Sequence, residues 1–166
     1  MSGVGERQQR ADKKVDLKAT MSIALKTQLY DFAEMCEEPV KTIAERLCIE
    51  GITNRYIAEE YAKWVRRDFR YNNTIVFGHP ERPKLQLTPN GETGKVSMRF
   101  NKSDYDRLCD LAYALDITPS STATVLIRLA TKDEHFMQSF IYDLDVDESQ
   151  LVKIKNFLKR TWAIYL

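Results

Sequence analysis

The stretch Lys95-Val96-Ser97-Met98-Arg99-Phe100, continued by Asn101-Lys102-Ser103-Asp104, decides how the rest of the chain is read. Val96, Met98 and Phe100 are apolar, and Lys95, Ser97 and Arg99 between them carry hydrogen-bonding side chains. A period of two is that of a β-strand, whose successive side chains point to opposite faces. One face can lie on a core while three polar side chains stand in a row outside it, in a form that fits a DNA major groove. Asn101 is a good helix N-cap, with Asp104 at the third helical position and Tyr105, Leu108, Leu111, Ala112 and Leu115 facing inward. Asp116-Ile117 closes that helix. Thr118-Pro119-Ser120-Ser121 opens another, with Thr118 as N-cap and Pro119 where its missing N–H costs nothing, followed by the stripe Val125, Leu126, Leu129 and Ala130.

Toward the N-terminus, residues 1–14 are rich in Gly, Gln, Arg and Lys without periodicity, which predicts a disordered, mildly basic tail. Leu17 to Leu25 reads as a strand with Ala19, Met21, Ile23 and Leu25 on one side and Lys18, Thr20, Ser22 and Ala24 on the other. A helical period takes over at Thr27 and ends near Pro39; Thr42 and Glu45 have capping-box spacing for a second helix through Ile43, Leu47, Cys48 and Ile52. A basic amphipathic helix follows from Tyr56 and ends around Tyr71-Asn72-Asn73, then come a β-prone run at Thr74–Phe77 and a turn at Thr88-Pro89-Asn90-Gly91. Beyond an acidic stretch from Asp133 to Glu148, Asp147 or Ser149 caps a last helix with the stripe Leu151, Ile154, Leu158, Trp162 and Tyr165.

Composition narrows the class. The 166 residues, 43% hydrophobic and 30% charged, suffice for a buried core in one domain or two small ones. No apolar run approaches the roughly 20 residues of a membrane helix, and Met1 to Gln9 lacks a signal-peptide core, so a cytoplasmic protein with no membrane partner is expected. Cys36, Cys48 and Cys109 sit in apolar helical patterns as reduced core residues, and His79 and His135 have no ligands at metal-binding spacing. With no Gly-rich phosphate loop and no nucleophile elbow, neither enzymatic activity nor a metal or cofactor is expected; Tyr71, among basic residues, packs or stacks. A net charge of +1 conceals a basic middle (Lys63, Arg66, Arg67, Arg70, Arg82, Lys84, Lys95 and Arg99), which is either a basic face or a set of ordinary solvated positions.

The order strand, helix, short turn, helix over Lys95 to about Met137 resembles the ribbon-helix-helix family of DNA-binding proteins. The physical case stands beside the name: a lone strand has unpaired edges and needs a second strand, and a two-stranded ribbon fits the major groove. The resemblance implies that Lys95, Ser97 and Arg99 read bases and that Thr118, Ser120 and Ser121 offer hydroxyls and helix N-terminal N–H groups to a phosphate. The first half repeats the pattern more weakly when Thr20 is set under Lys95. Thr20 and Ser22 are then further base-reading positions, Ala24 stands where Arg99 does, and Thr42 is the second phosphate cap. A helix-turn-helix over Ile43 to Ile57 competes for this half, and a hairpin of Leu85–Leu87 with Lys95–Phe100 competes for the ribbon strand.

The expected fold is therefore mainly α with a short β ribbon: tandem ribbon-helix-helix units at 15–57 and 93–137, a basic helix and linker at 58–92, and an acidic linker with a C-terminal helix at 138–166. The expected function is sequence-specific binding of double-stranded DNA, by a transcriptional regulator or DNA-processing accessory factor of bacterial, plasmid or phage origin. Its ribbon is completed either within one chain, as a pseudo-dimer, or by self-association. The alternative is a protein-interaction module, such as an antitoxin or assembly adaptor, that holds a protein partner on its C-terminal helix.

Overall fold

The computed structural model describes residues 13–88 and 91–166. The tail expected at residues 1–14 lies outside them apart from Lys13 and Lys14, as do Pro89 and Asn90 of the expected turn. Among the described residues the fold is mainly helical with two small antiparallel sheets. In chain order the elements are β1 (Lys14–Ser22), α1 (Ile23–Met35), α2 (Val40–Ile52), α3 (Arg55–Tyr61), β2 (Phe69–Tyr71), β3 (Thr74–Val76), β4 (Thr93–Asn101), α4 (Lys102–Leu115), α5 (Pro119–Ala130), α6 (Glu134–Tyr142) and α7 (Glu148–Trp162).

The first sheet joins the two halves of the chain. β1 and β4 run antiparallel over nine residues each, with Lys14 opposite Asn101, Lys18 opposite Ser97 and Ser22 opposite Thr93. No hairpin forms between Leu85–Leu87 and β4, because β4 takes its partner from the other half. Leu17, Ala19 and Met21 of β1 and Val96, Met98 and Phe100 of β4 are buried on the inner face. Beneath them lie α2 and α5, so each strand is covered chiefly by a helix from the opposite half. The Cys48 thiol donates to the Ala123 carbonyl where those helices cross, and its sulfur lies 4.0 Å from that of Met98. One continuous core runs through both halves.

The halves correspond element by element at a constant offset. Ser22 caps α1 by accepting from the Leu25 N–H, and Asn101 caps α4 by accepting from the Asp104 N–H. The same offset takes Glu37 to Asp116, both left-handed after their first helices (φ 56° and 61°), and Val40 to Pro119, which open α2 and α5. Lys18 maps onto Ser97, its own partner in the ribbon, so the correspondence turns the ribbon onto itself about that pair.

Several sequence expectations are corrected. β1 stops at Ser22, and Ile23 already belongs to α1, so Ile23, Ala24 and Leu25 are helical rather than extended. Thr42 and Glu45 form no capping box: Pro39 is the N-cap of α2, without a side-chain bond. The basic amphipathic helix ends at Tyr61 instead of near Tyr71, and Phe69–Tyr71 pairs with Thr74–Val76 around a left-handed Asn72. Within the acidic stretch Asp133 caps an unforeseen helix, α6, by accepting from the Phe136 N–H.

Part of the basic middle fastens the connection between the halves. Arg66 and Arg67 both pair with Asp116, at 2.7 Å and 3.5 Å, and their backbone N–H groups donate to the Ala114 carbonyl. Arg67 also lies over the Tyr113 ring, 4.2 Å from its centroid. Gly78 packs so tightly on the Arg67 backbone that a Cβ would collide with it, which fixes a glycine at that crossing. The last helix covers the protein's own core: Phe157 and Trp162 of α7 pack on Phe32 of α1, and the Trp162 indole N–H donates to Gln28.

Candidate nucleic-acid interface

The outer face of the ribbon carries Lys14, Asp16, Lys18 and Thr20 from β1 and Thr93, Lys95, Ser97 and Arg99 from β4, all exposed. Pleating requires this: the apolar members of each strand are committed to the core, so the residues between them must point out. Four of these eight side chains are cations, and Asp16 is the one anion. Lys95, Ser97 and Arg99 are thus brought into one row with Thr20. Ser22, expected in that row, is half-buried as the cap of α1. The position corresponding to Arg99 is Thr20, not Ala24, which lies on α1. Asp16 and Lys18 are missing from the expected base-reading set because setting Thr20 under Lys95 places the first half four residues out of step with the second, where Asp16 corresponds to Lys95; Ser22 as the cap of α1 is the signal that corrects it.

One backbone group on each ribbon edge is tied by a side chain, with different chemistry at corresponding positions. The carboxylate of Glu45 on α2 accepts from the Arg99 N–H at 2.8 Å, and the hydroxyl of Thr124 on α5 donates to the Thr20 carbonyl at 2.8 Å. These groups therefore lie outside the ladder, which makes Asp16–Arg99, Lys18–Ser97 and Thr20–Lys95 the non-hydrogen-bonded pairs. In such pairs the Cα atoms approach to about 4.5 Å and the side chains touch. Arg99 and Asp16 do so, with Nε 2.9 Å from Oδ1.

Thr118, Ser120 and Ser121 gather at the N-terminus of α5 beside Thr20 and Ser22, lining a cavity of about 250 Å³ with Met21, Leu87, Thr124 and Arg128. Thr118 caps the helix by accepting from the Ser121 N–H at 3.1 Å. Hydroxyls, a helix N-terminus and a guanidinium around one opening suit an oxyanion such as a phosphate. Thr42 is not part of this cluster. It lies in the first turn of α2, whose N-cap is Pro39 with no side-chain bond, so that end lacks the hydroxyl cap and serine pair found at α5.

No protein-family model, curated protein or solved structure matches this chain. Among the described residues, no helix is long and apolar enough to cross a membrane, and no three His, Cys, Asp or Glu side chains gather as a metal-binding group.

Proposed function

We propose that the protein is a sequence-specific binder of double-stranded DNA, built as two ribbon-helix-helix units fused in one chain. Its β1–β4 ribbon enters the major groove. One observation carries this reading: strands from opposite halves pair in a register that leaves an exposed polar row, rich in cations, above a core shared by two strand–helix–helix repeats. Lys18, Thr20, Lys95, Ser97 and Arg99 face the base edges, where Arg donates to guanine and Ser, Thr or Lys to either purine. The α5 N-terminus with Thr118, Ser120, Ser121 and Arg128 holds a backbone phosphate and sets the register of the ribbon in the groove. No cofactor is needed for this role, and the process it serves is regulation or processing of the bound DNA.

The test is a gel-shift selection from a random-sequence duplex pool at several salt concentrations, with Arg99→Ala as the variant. Retention should weaken steeply as salt rises, and Arg99→Ala should cost about 1 to 3 kcal/mol on the selected site while relaxing one base position. Failure to retain any duplex at low salt refutes the proposal. A second reading, a protein-interaction module, is favoured by the apolar groove of Ile141, Tyr142, Leu144, Val146, Leu151 and Leu166, where Tyr142 is 87% exposed.

A further inference from the structure

The ribbon's two ends are not chemically equivalent. At one end Asp16 faces Arg99; at the corresponding end Lys95 faces Thr20, and the central pair is Lys18 with Ser97. The Asp16–Arg99 ion pair is well exposed, with side chains 78% and 57% accessible, and pairs so exposed add little to stability. A carboxylate on a face that meets a polyanion also weakens general attraction. What the contact does supply is orientation. Asp16 engages the Arg99 Nε, which leaves the two terminal nitrogens of the guanidinium free, and that end-on fork matches O6 and N7 of guanine. The second Asp16 oxygen can accept from the amino group of a neighbouring cytosine or adenine.

Resting on the DNA-binding reading above, we propose that Asp16 is a specificity-determining residue. It holds Arg99 end-on for a guanine and itself selects an amino-bearing base beside it. The opposite end of the ribbon, with Lys95 and Thr20, has no such clamp. The preferred duplex is therefore non-palindromic, with its strictest positions under the Asp16–Arg99 end.

The experiment compares sites selected from a random duplex pool by the full-length wild type, by Asp16→Asn, and by the double variant Thr20→Arg with Lys95→Asp, each checked for an unchanged thermal unfolding transition. The wild type should select an asymmetric site. Asp16→Asn should bind random duplex at low salt at least as well as the wild type, yet lose about 5- to 100-fold of its discrimination at the guanine and its neighbour. The double variant builds the same pair at the other end and should make the outer positions of the site symmetric. Duplex binding with a palindromic wild-type site, or the same base preferences after Asp16→Asn, overturns this inference and leaves the DNA-binding reading standing. Absence of duplex binding by the wild type overturns both.

Discussion

A disulfide placed across the middle of the ribbon tests the pairing on which everything else depends. Lys18 and Ser97 are directly opposed, both exposed, and form a non-hydrogen-bonded pair. Their Cα separation, about 4.5 Å for such pairs, falls at the short end of the range a disulfide spans. In a Cys109→Ser background, Lys18→Cys with Ser97→Cys should oxidise within one chain and close a loop of about 80 residues. Loop-closure entropy for that length amounts to about 4.5 kcal/mol, and strain at the short separation should leave about 2 to 4 kcal/mol. In a chain of this size that raises the unfolding temperature by roughly 5 to 15 °C, reversed by reductant. On a non-reducing gel the oxidised protein should run as a compact monomer, faster than its reduced form. A cross-linked dimer would show that the strands pair between chains, and absence of any cross-link would show that the register about Lys18–Ser97 is wrong.

Two further outcomes follow from packing and from buried thiols. Phe157→Ala should lower the unfolding free energy by about 3 to 5 kcal/mol in urea titrations, because Phe157 is buried on Phe32 and its loss opens a cavity between α1 and α7. A loss below about 1 kcal/mol would mean that the last helix is not part of the core. Burial pushes the Cys36 thiol up to about 12 and also raises that of Cys48, from an ordinary 9.0. The folded chain thus keeps protons that the unfolded chain releases, so this contribution is whole below pH 9 and is lost as pH climbs from 9 toward 12. Between about pH 8 and pH 11 the wild type should lose more stability than Cys36→Ala; equal losses would contradict the assigned burial of that thiol.

What could be read from the sequence depended on how abruptly each pattern changed. β4 and α4 were legible because Phe100 is followed at once by Asn101-Lys102-Ser103-Asp104, where alternation stops and capping chemistry begins. At the first strand the apolar series Ala19, Met21 continues through Ile23 and Leu25, so alternation runs on into a helix and hides the cap at Ser22. That overrun displaced the internal alignment and replaced Asp16, Lys18 and Thr20 on the outer face with Thr20, Ser22 and Ala24. The α5 cap was legible from Thr118-Pro119, whereas α2 opens behind Pro39, and Glu45 was read as a cap partner although it reaches a strand far away in sequence. Long-range partners of this kind leave no mark in local spacing. Arg66 and Arg67 are a related case: they find Asp116 and the end of α4 only once the two halves have come together.

The pattern of agreement and divergence between the halves has a physical basis. Inward positions keep apolar residues at corresponding places, Leu17 with Val96, Ala19 with Met98 and Met21 with Phe100, and all six are buried so that the volume beneath the ribbon stays filled. Outward positions are under no such constraint, since exposed substitutions usually change stability by less than about 0.5 kcal/mol. Asp16 against Lys95 and Thr20 against Arg99 can therefore differ at little cost to the fold. The ties at the two edges fall between these cases: each holds a backbone group that would otherwise invite another strand, but Glu45 accepts from an N–H where Thr124 donates to a carbonyl. A ribbon made from two copies of one chain would carry the same side chains at both ends. Joining the halves in a single chain lifts that requirement, and on the outward ribbon face the charges at corresponding positions do differ, Lys14 against Thr93, Asp16 against Lys95, Lys18 against Ser97 and Thr20 against Arg99.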